Sequence, residues 1–357
     1  MTVLSWNCRG IGQPRTVHEL VGLVHSLKPK LVFLSETRQK DDYVNKLRWR
    51  LGLKHCIKHA DTGKSAGIAL FYDENVEIKE LAVGPWYIDV LIRVSPNSPR
   101  WRGTFVYGEP KAHERIHMWN VLRRLRPNAS EPWLVIGDFN ETMWQSEHFS
   151  KAKRSETNMA NFRRVLSDCN LHDIGYKGMA WTYDNKQSGS SNVKAHLDRA
   201  VATPEWSTAF RNATVEHIIS ARSDHVPVLL RLGKRKEWRP VKRSFRYEAM
   251  WERVELLPDT IRNAWERGGQ GRSMEDVVAK LRDMQNTLSS WALKDFCSLQ
   301  NKISSCRGRL KWLWNQTVTP EIERKIKITT GELDELLREE IMWKQRSRIA
   351  WLREGDK

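Results

Sequence analysis

The order of apolar and polar residues predicts an α/β sandwich, helices laid over packed β-sheets, followed by a mainly α-helical region. Three observations carry this. Up to about residue 233, short β-type apolar runs alternate with amphipathic helical stretches. A basic, proline-containing segment, "KRKEWRPVKR" (234–243), then interrupts the pattern. Beyond it the periodicity is helical. The expected organisation is therefore a sandwich domain over 1–233, a basic linker over 234–243 and a helical region over 244–357. A chain of 357 residues has ample length for a sizeable core.

In chain order the strand-type runs are "TVLSWN" (2–7), "LVFLSE" (31–36), "GIALFY" (67–72), "YIDVLIRV" (87–94), "RGTFVYG" (102–108), "WLVIGDF" (133–139), "HLDRAVA" (196–202) and "VPVLLRL" (226–232). Between them, Val17, Leu20, Val21, Val24 and Leu27 fall on one helical stripe, as do Phe162, Val165, Leu166 and Cys169. Many strands with interspersed helices favour a sandwich over a doubly wound parallel sheet. Strand direction is not legible at this level. In the tail, Ser273 and Asp276 form a capping box ahead of a helix carrying Val277, Leu281, Met284, Leu288 and Trp291 on one face. Thr319 is the expected N-cap and Pro320 the first residue of a further helix, with Ile322, Ile326, Leu333, Leu336, Leu337 and Ile341 at helical spacing. The tail holds eight of the 17 tryptophans, and those at helical spacing, such as Trp291 and Trp343, are expected to fill a packing interface. Nucleic-acid contact through basic residues and tryptophan stacking is the competing role.

Composition narrows the partner. A formal net charge of +17 suggests a polyanion, because Lys and Arg in excess raise association with phosphate backbones. No apolar run approaches the length of a bilayer span, and "MTVLSWNCRG" carries no signal region, so a soluble, non-secreted chain without a membrane partner is expected. Five cysteines without a CxxC pair point away from a disulfide framework or a zinc site and towards a reducing compartment.

The chemistry is carried by polar residues that close apolar runs. Asp224 and His225 stand directly before "VPVLL"; Asn7, Glu36, Asp138 with Asn140, and Asp198 occupy equivalent positions in "SWNCRG", "LSETR", "IGDFNET" and "AHLDRAVA". Singly, each has an ordinary explanation: Gly-Asp is turn chemistry and an Asp-His pair is common on surfaces. Together they describe a site. Glu36 and Asn7 are hard oxygen ligands suited to Mg²⁺, which keeps several waters and stabilises phosphoryl charge. Asp198 is placed to orient His225 and favour its imidazolium, while Asp138 and Asn140 would position or deprotonate an attacking water. Tyr107 in "FVYGEP" could donate to a phosphate oxygen, although a tyrosine at a strand end is more often core.

"SWNCRG", "LSETR", "FVYGEP", "IGDFNE", "LDRA" and "SDH" follow the order and spacing of the endonuclease/exonuclease/phosphatase superfamily over roughly residues 1–232, and most resemble the apurinic-type endonuclease of plant LINE (non-LTR) retrotransposons. The resemblance implies a four-layered α/β sandwich, dependence on Mg²⁺ or Mn²⁺, a nuclear DNA partner, and hydrolysis that nicks one strand to leave a 3′-hydroxyl. By matched position it implies metal binding by Asn7 and Glu36, with Asp224 beside the metal or His225, and catalytic roles for Tyr107, Asp138, Asn140, Asp198 and His225. "SFRYEAMW" (244–251) and "WKQRSRIAWLREGDK" (343–357) resemble the connector that leads into a reverse transcriptase in such elements. No aromatic-x-Asp-Asp motif occurs, so a truncated or host-derived element without polymerase activity is expected. Three departures stand out: Arg9 where abasic-site repair enzymes carry an acidic residue, His196 where the plant elements have arginine, and Ala66 in place of a glycine. The alternatives are a phosphatase of the same superfamily acting on a small substrate, and a catalytically inactive nucleic-acid-binding or helical interaction protein.

Overall fold

The computed structural model describes residues 1–59, 67–96, 98–128, 130–187, 189–220, 222–233, 247, 251, 256–267, 273–295, 297–314, 316 and 319–354, with backbone alone for 293–295, 297, 298, 300 and 341–354. The basic linker at 234–243 and Ala66 lie outside the described residues, as does the side chain of Trp343. The chain divides into two compact units, one of Met1–Lys236 with Leu313–Arg324, the other of Glu237–Trp312 with Lys325–Lys357.

The first unit is built from strands β1 (Thr2–Asn7), β2 (Leu31–Ser35), β3 (His55–His59), β4 (Ile68–Tyr72), β5 (Glu77–Gly84), β6 (Tyr87–Arg93), β7 (Trp101–Tyr107), β8 (Trp133–Asp138), β9 (His148–Phe149), β10 (His172–Asp173), β11 (Tyr183–Asp184), β12 (Lys194–Ala195), β13 (Asp198–Ala202), β14 (Thr214–His217) and β15 (Val228–Arg231). Helices α1 (Pro14–Leu27), α2 (Asp41–Leu51), α3 (Arg115–Leu125), α4 (Glu156–Asp168) and α5 (Pro204–Ala209) accompany them. The first six-stranded sheet has the order β14-β15-β1-β2-β4-β3, the second β10-β13-β8-β7-β6-β5, and a small three-stranded sheet joins β11, β12 and β9. Each large sheet contains one parallel pair, β1 with β2 and β7 with β8; their other pairings are antiparallel. The parallel pairs are bridged by α1 and α3, as a crossover connection requires.

Strand alternation makes the layers. On β2, Leu31 and Phe33 point into the core between the sheets, whereas Val32 and Leu34 meet α1 and α2. On the second sheet, Leu134 and Ile136 of β8 face that same inner core, and Trp133 and Val135 face α3 and α4. The result is helix, sheet, sheet, helix: four layers, as the resemblance implies. All eight strand-type runs form strands. The edge strands β3 and β5 escape sequence reading because their faces are largely wet, with no fully buried residue in β3 and only Gly84 in β5.

In the second unit, α6 (Leu257–Arg267) packs on α7 (Met274–Asp295); α8 (Cys297–Trp314) belongs to it up to Trp312 and α9 (Pro320–Glu354) from Lys325 on. Ser273 and Asp276 exchange hydrogen bonds of 3.2 and 3.1 Å, so the capping box forms, and Thr319 Oγ1 caps α9 by accepting from Ile322 N at 3.2 Å. Leu288 and Trp291 pack with Trp251 and Leu257, but Leu281, expected on the same face, is 48% exposed. Among the described residues, no helix is long and apolar enough to cross a membrane.

Candidate active site

Backbone register brings the polar strand ends together. On the second sheet, Tyr107 stands opposite Asp138 in the parallel β7/β8 pair, and Asp138 opposite Asp198 in the antiparallel β8/β13 pair. On the first sheet, Asn7 ends β1 opposite Ser35, which places Glu36 one residue beyond β2. His225 precedes β15 and bridges to Tyr183. Asn7 Nδ2 crosses between the sheets, donating to Glu36 Oε1 and to Asp138 Oδ2, both at 2.9 Å. The Tyr107 hydroxyl donates to Glu36 Oε1 at 3.2 Å. His225 Nδ1 lies 2.8 Å from Asp198 Oδ2 and 3.7 Å from Asp138 Oδ2. Ser223 Oγ donates to the Asn7 carbonyl at 2.8 Å and accepts from His225 N at 3.1 Å, and Trp6 Nε1 donates to the His225 carbonyl at 3.0 Å. Six of the eight expected residues thus form one buried, connected cluster.

The other two take different places. Asn140 N donates to Asp138 Oδ1 at 2.8 Å, but its side-chain Nδ2 donates to the Gly108 carbonyl at 2.7 Å, tying the β7 and β8 exits together. Asp224 accepts a bidentate pair from Arg9, Nε to Oδ1 at 2.9 Å and Nη2 to Oδ2 at 2.7 Å. Arg9 also stands 3.6 Å from Glu36 Oε2, which Arg38 contacts directly. The departure at position 9 therefore compensates two carboxylates.

Electrostatics sort the roles. Burial by itself lowers the His225 pKa, but the facing Asp198 and Asp138 carboxylates outweigh it and push the ring up to about 9. Burial in turn raises Asp198, against the pull of His225. The direction we stand behind is a charged imidazolium at neutral pH, because two carboxylates face one ring. Burial would also raise Asp224; its hydrogen bonds from Arg9 hold it below the ordinary carboxylate value. Burial, then Glu36 and Asp138, raise Tyr107, so its phenol remains a donor.

The scaffold beneath is strained and clamped. Arg9, Glu36, Arg38 and Asn140 all have left-handed backbones, with φ of 51, 52, 49 and 54°. Such residues cost of order 1–3 kcal/mol each and persist where their surroundings overdetermine them. Gly137 has φ 151°, and a Cβ there would lie 1.9 Å from the Val106 carbonyl oxygen. Around Asn140 the clamp is ionic. Glu141, fully buried, binds Arg115 at 2.5 Å and also Arg154. Arg154 Nη2 donates to the Asn140 carbonyl at 2.6 Å, and Arg115 donates to the Glu109 and Pro110 carbonyls at 2.9 and 2.7 Å. Sequence reading missed this clamp, although Glu141 lies inside the quoted "IGDFNET".

Asp138, Asp198 and His225 have ligand-type atoms within 4.8 Å of one another. A metal-binding histidine must be neutral, and His225 is held charged by Asp198, so this trio suits proton and charge management better than ligation. Hard oxygens at Glu36, Asp138 and the Asn7 amide lie beside it, and that donor set fits a hydrated divalent cation. The Asn7 amide now points its NH₂ at both carboxylates, so ligation through Oδ1 requires it to turn.

Two packed sheets with a carboxylate and histidine cluster at the strand ends are the fold of the endonuclease/exonuclease/phosphatase family, and that family fold points to a hydrolase acting on phosphodiester or phosphate groups. The family model for the endonuclease/exonuclease/phosphatase family matches residues 4–225, and the chain belongs to that family, whose enzymes depend on a divalent metal. Among solved structures, an AP endonuclease from Archaeoglobus fulgidus is similar at 16% identity, covering 65% of this chain and 98% of that one with a TM-score of 0.51. A 3′-5′ exonuclease from Neisseria meningitidis is similar at 17% identity, covering 65% and 100%, with a TM-score of 0.49. The endonuclease domain of TRAS1, a telomere-specific non-LTR retrotransposon, is similar at 19% identity, covering 64% and 96%, with a TM-score of 0.47. No curated protein matches the chain.

Proposed function

We propose that the chain is a Mg²⁺- or Mn²⁺-dependent DNA endonuclease that hydrolyses one phosphodiester bond to leave a 3′-hydroxyl, of the kind carried by non-LTR retrotransposons and acting in the nucleus. The observation that carries the reading is the single hydrogen-bonded cluster joining Asn7, Glu36, Tyr107, Asp138, Asp198 and His225 across two sheets. A macromolecular anion rather than a small phosphate is favoured by the net charge of +17 and by Arg9 and Arg38, each with a 38% exposed side chain at the site.

In this reading Asp138, fixed by Asn140 N and Asn7 Nδ2, orients the attacking water and accepts its proton. His225, held charged through Nδ1 by Asp198, presents Nε2–H to a phosphoryl oxygen. Tyr107 supplies a further neutral donor. Glu36 and Asn7 would hold the cation, with Asp224 beside it or His225, and its chemistry is Lewis-acid stabilisation of the phosphoryl charge. The water oxygen bonds to phosphorus as the P–O3′ bond breaks, leaving a 5′-phosphate on one fragment, and the departing 3′ oxygen takes a proton from a solvent water to become the 3′-hydroxyl.

The test is nicking of supercoiled plasmid with Mg²⁺, with EDTA, and with Glu36→Ala and His225→Ala. Metal-dependent open circles, absent in both variants, are the expected result. Folded wild-type protein that leaves plasmid intact with every divalent ion overturns the reading. Release of phosphate from small monoesters without nicking would replace it with the phosphatase.

A further inference from the structure

Four residues beyond Asn140, the catalytic loop carries Trp144, a residue that is 51% exposed. Single exposed aromatics are ordinary, but this one is held in place beside the site. Arg163 of α4 lies over the ring at 4.2 Å from its centroid. That guanidinium is itself pinned, Nη1 donating to the Met143 carbonyl at 2.5 Å and Nη2 to Glu156 at 2.5 Å. Further along the same segment Lys151 and Lys153 are both exposed, and Arg154 grips the Asn140 carbonyl. An immobilised aromatic flanked by cations beside a phosphate-cleaving centre is the pattern of a nucleic-acid contact, aromatic for bases and lysines for phosphates.

We propose that Trp144 wedges against a base step of the DNA next to the cut and selects where the strand is nicked, with Lys151 and Lys153 on the neighbouring phosphates. The inference rests on the endonuclease reading and deepens it. Chain geometry keeps the ring near the site: four residues span at most about 14 Å, so the Trp144 backbone stays within roughly four base-pair rises of Asn140. The wedge has a consequence for sequence. Pyrimidine–purine steps unstack most easily, so cuts should concentrate near TA and CA steps. Arg163 stiffens the ring before DNA arrives, so insertion sacrifices little side-chain freedom.

The experiment maps nick positions on a long duplex for wild type, Trp144→Ala, Trp144→Phe and Arg163→Ala, with KM for each and melting curves to show that all are folded. In parallel, duplex binding is measured in EDTA, where nothing is cut. Trp144→Ala should flatten the step preference and weaken both KM and metal-free binding by about 5- to 150-fold, the range of one base–aromatic stack. Trp144→Phe should keep part of the preference, and Arg163→Ala should show a smaller loss. Unchanged positions and unchanged metal-free binding in Trp144→Ala overturn the wedge. If wild type does not nick, the endonuclease reading fails, and equal EDTA binding by wild type and Trp144→Ala still decides against the wedge.

Discussion

Replacing Glu141 by alanine isolates the ionic clamp under the catalytic loop. The carboxylate is fully buried, and its partners are nearly so, with side-chain exposures of 9% for Arg115 and 19% for Arg154. Glu141→Ala leaves two guanidiniums facing each other without a counter-charge, and burial already depresses the Arg115 pKa against the pull of Glu141. Removing one partner of a buried pair costs about 3–5 kcal/mol. In a domain of this size each kcal/mol lowers Tm by about 2–4 °C, so the fall should be about 6–20 °C. Thermal unfolding by circular dichroism measures it. Breaking the pair Arg93–Glu77, whose side chains are 35% and 59% exposed, by Arg93→Ala is the control and should cost less than about 1 kcal/mol. A Glu141→Ala melt no lower than that control would refute the reasoning, since the arginines would then be satisfied by water.

Three further outcomes are expected. Asp198→Asn removes the anion that charges His225, and single-turnover nicking should fall about 10²- to 10⁴-fold with KM little changed; a matched rise in KM would contradict an orienting role. Gly137→Ala should abolish recovery of folded protein, because its Cβ would lie 1.9 Å from a carbonyl oxygen on β7; soluble protein with wild-type dichroism would show that the strands can part. His217, stacked on Tyr176, and His196, edge-on to the same ring, are buried and have pKa values lowered by that burial. Below the unfolded value of about 6.5 the unfolded chain takes up protons that these rings refuse, so stability is present above that pH and is lost as pH falls. Unfolding free energies from urea titrations at about pH 7.5 and about pH 5.5 should differ by roughly 1 kcal/mol less in His196→Phe than in wild type; equal pH sensitivity would show that other groups dominate.

The apolar runs were legible because periodicity is a property of consecutive residues. Continuous runs such as "LVFLS" of β2 mark strands covered on both faces, whereas the edge strand "HCIKH" of β3 has no such signature. Polar residues closing those runs were legible for the same reason, and so were the Ser273–Asp276 and Thr319 caps, whose partners lie three residues away.

Apart from the motif resemblance, which grouped the site residues and implied the layers, what residue order dictates is local: which segments are strands or helices, and which side chains stand at their ends. Packing of the two sheets sets what meets what. Asn7 reaches Asp138 across 131 residues, Arg9 reaches Asp224 across 215, and Arg115 reaches Glu141 across 26. Strand order, sheet register and the left-handed backbone at Glu36 and Asn140 set those meetings. The physical reason is that hydrogen bonds and ion pairs depend on distances of a few ångströms, and for residues far apart in the chain only packing of the two sheets fixes such distances.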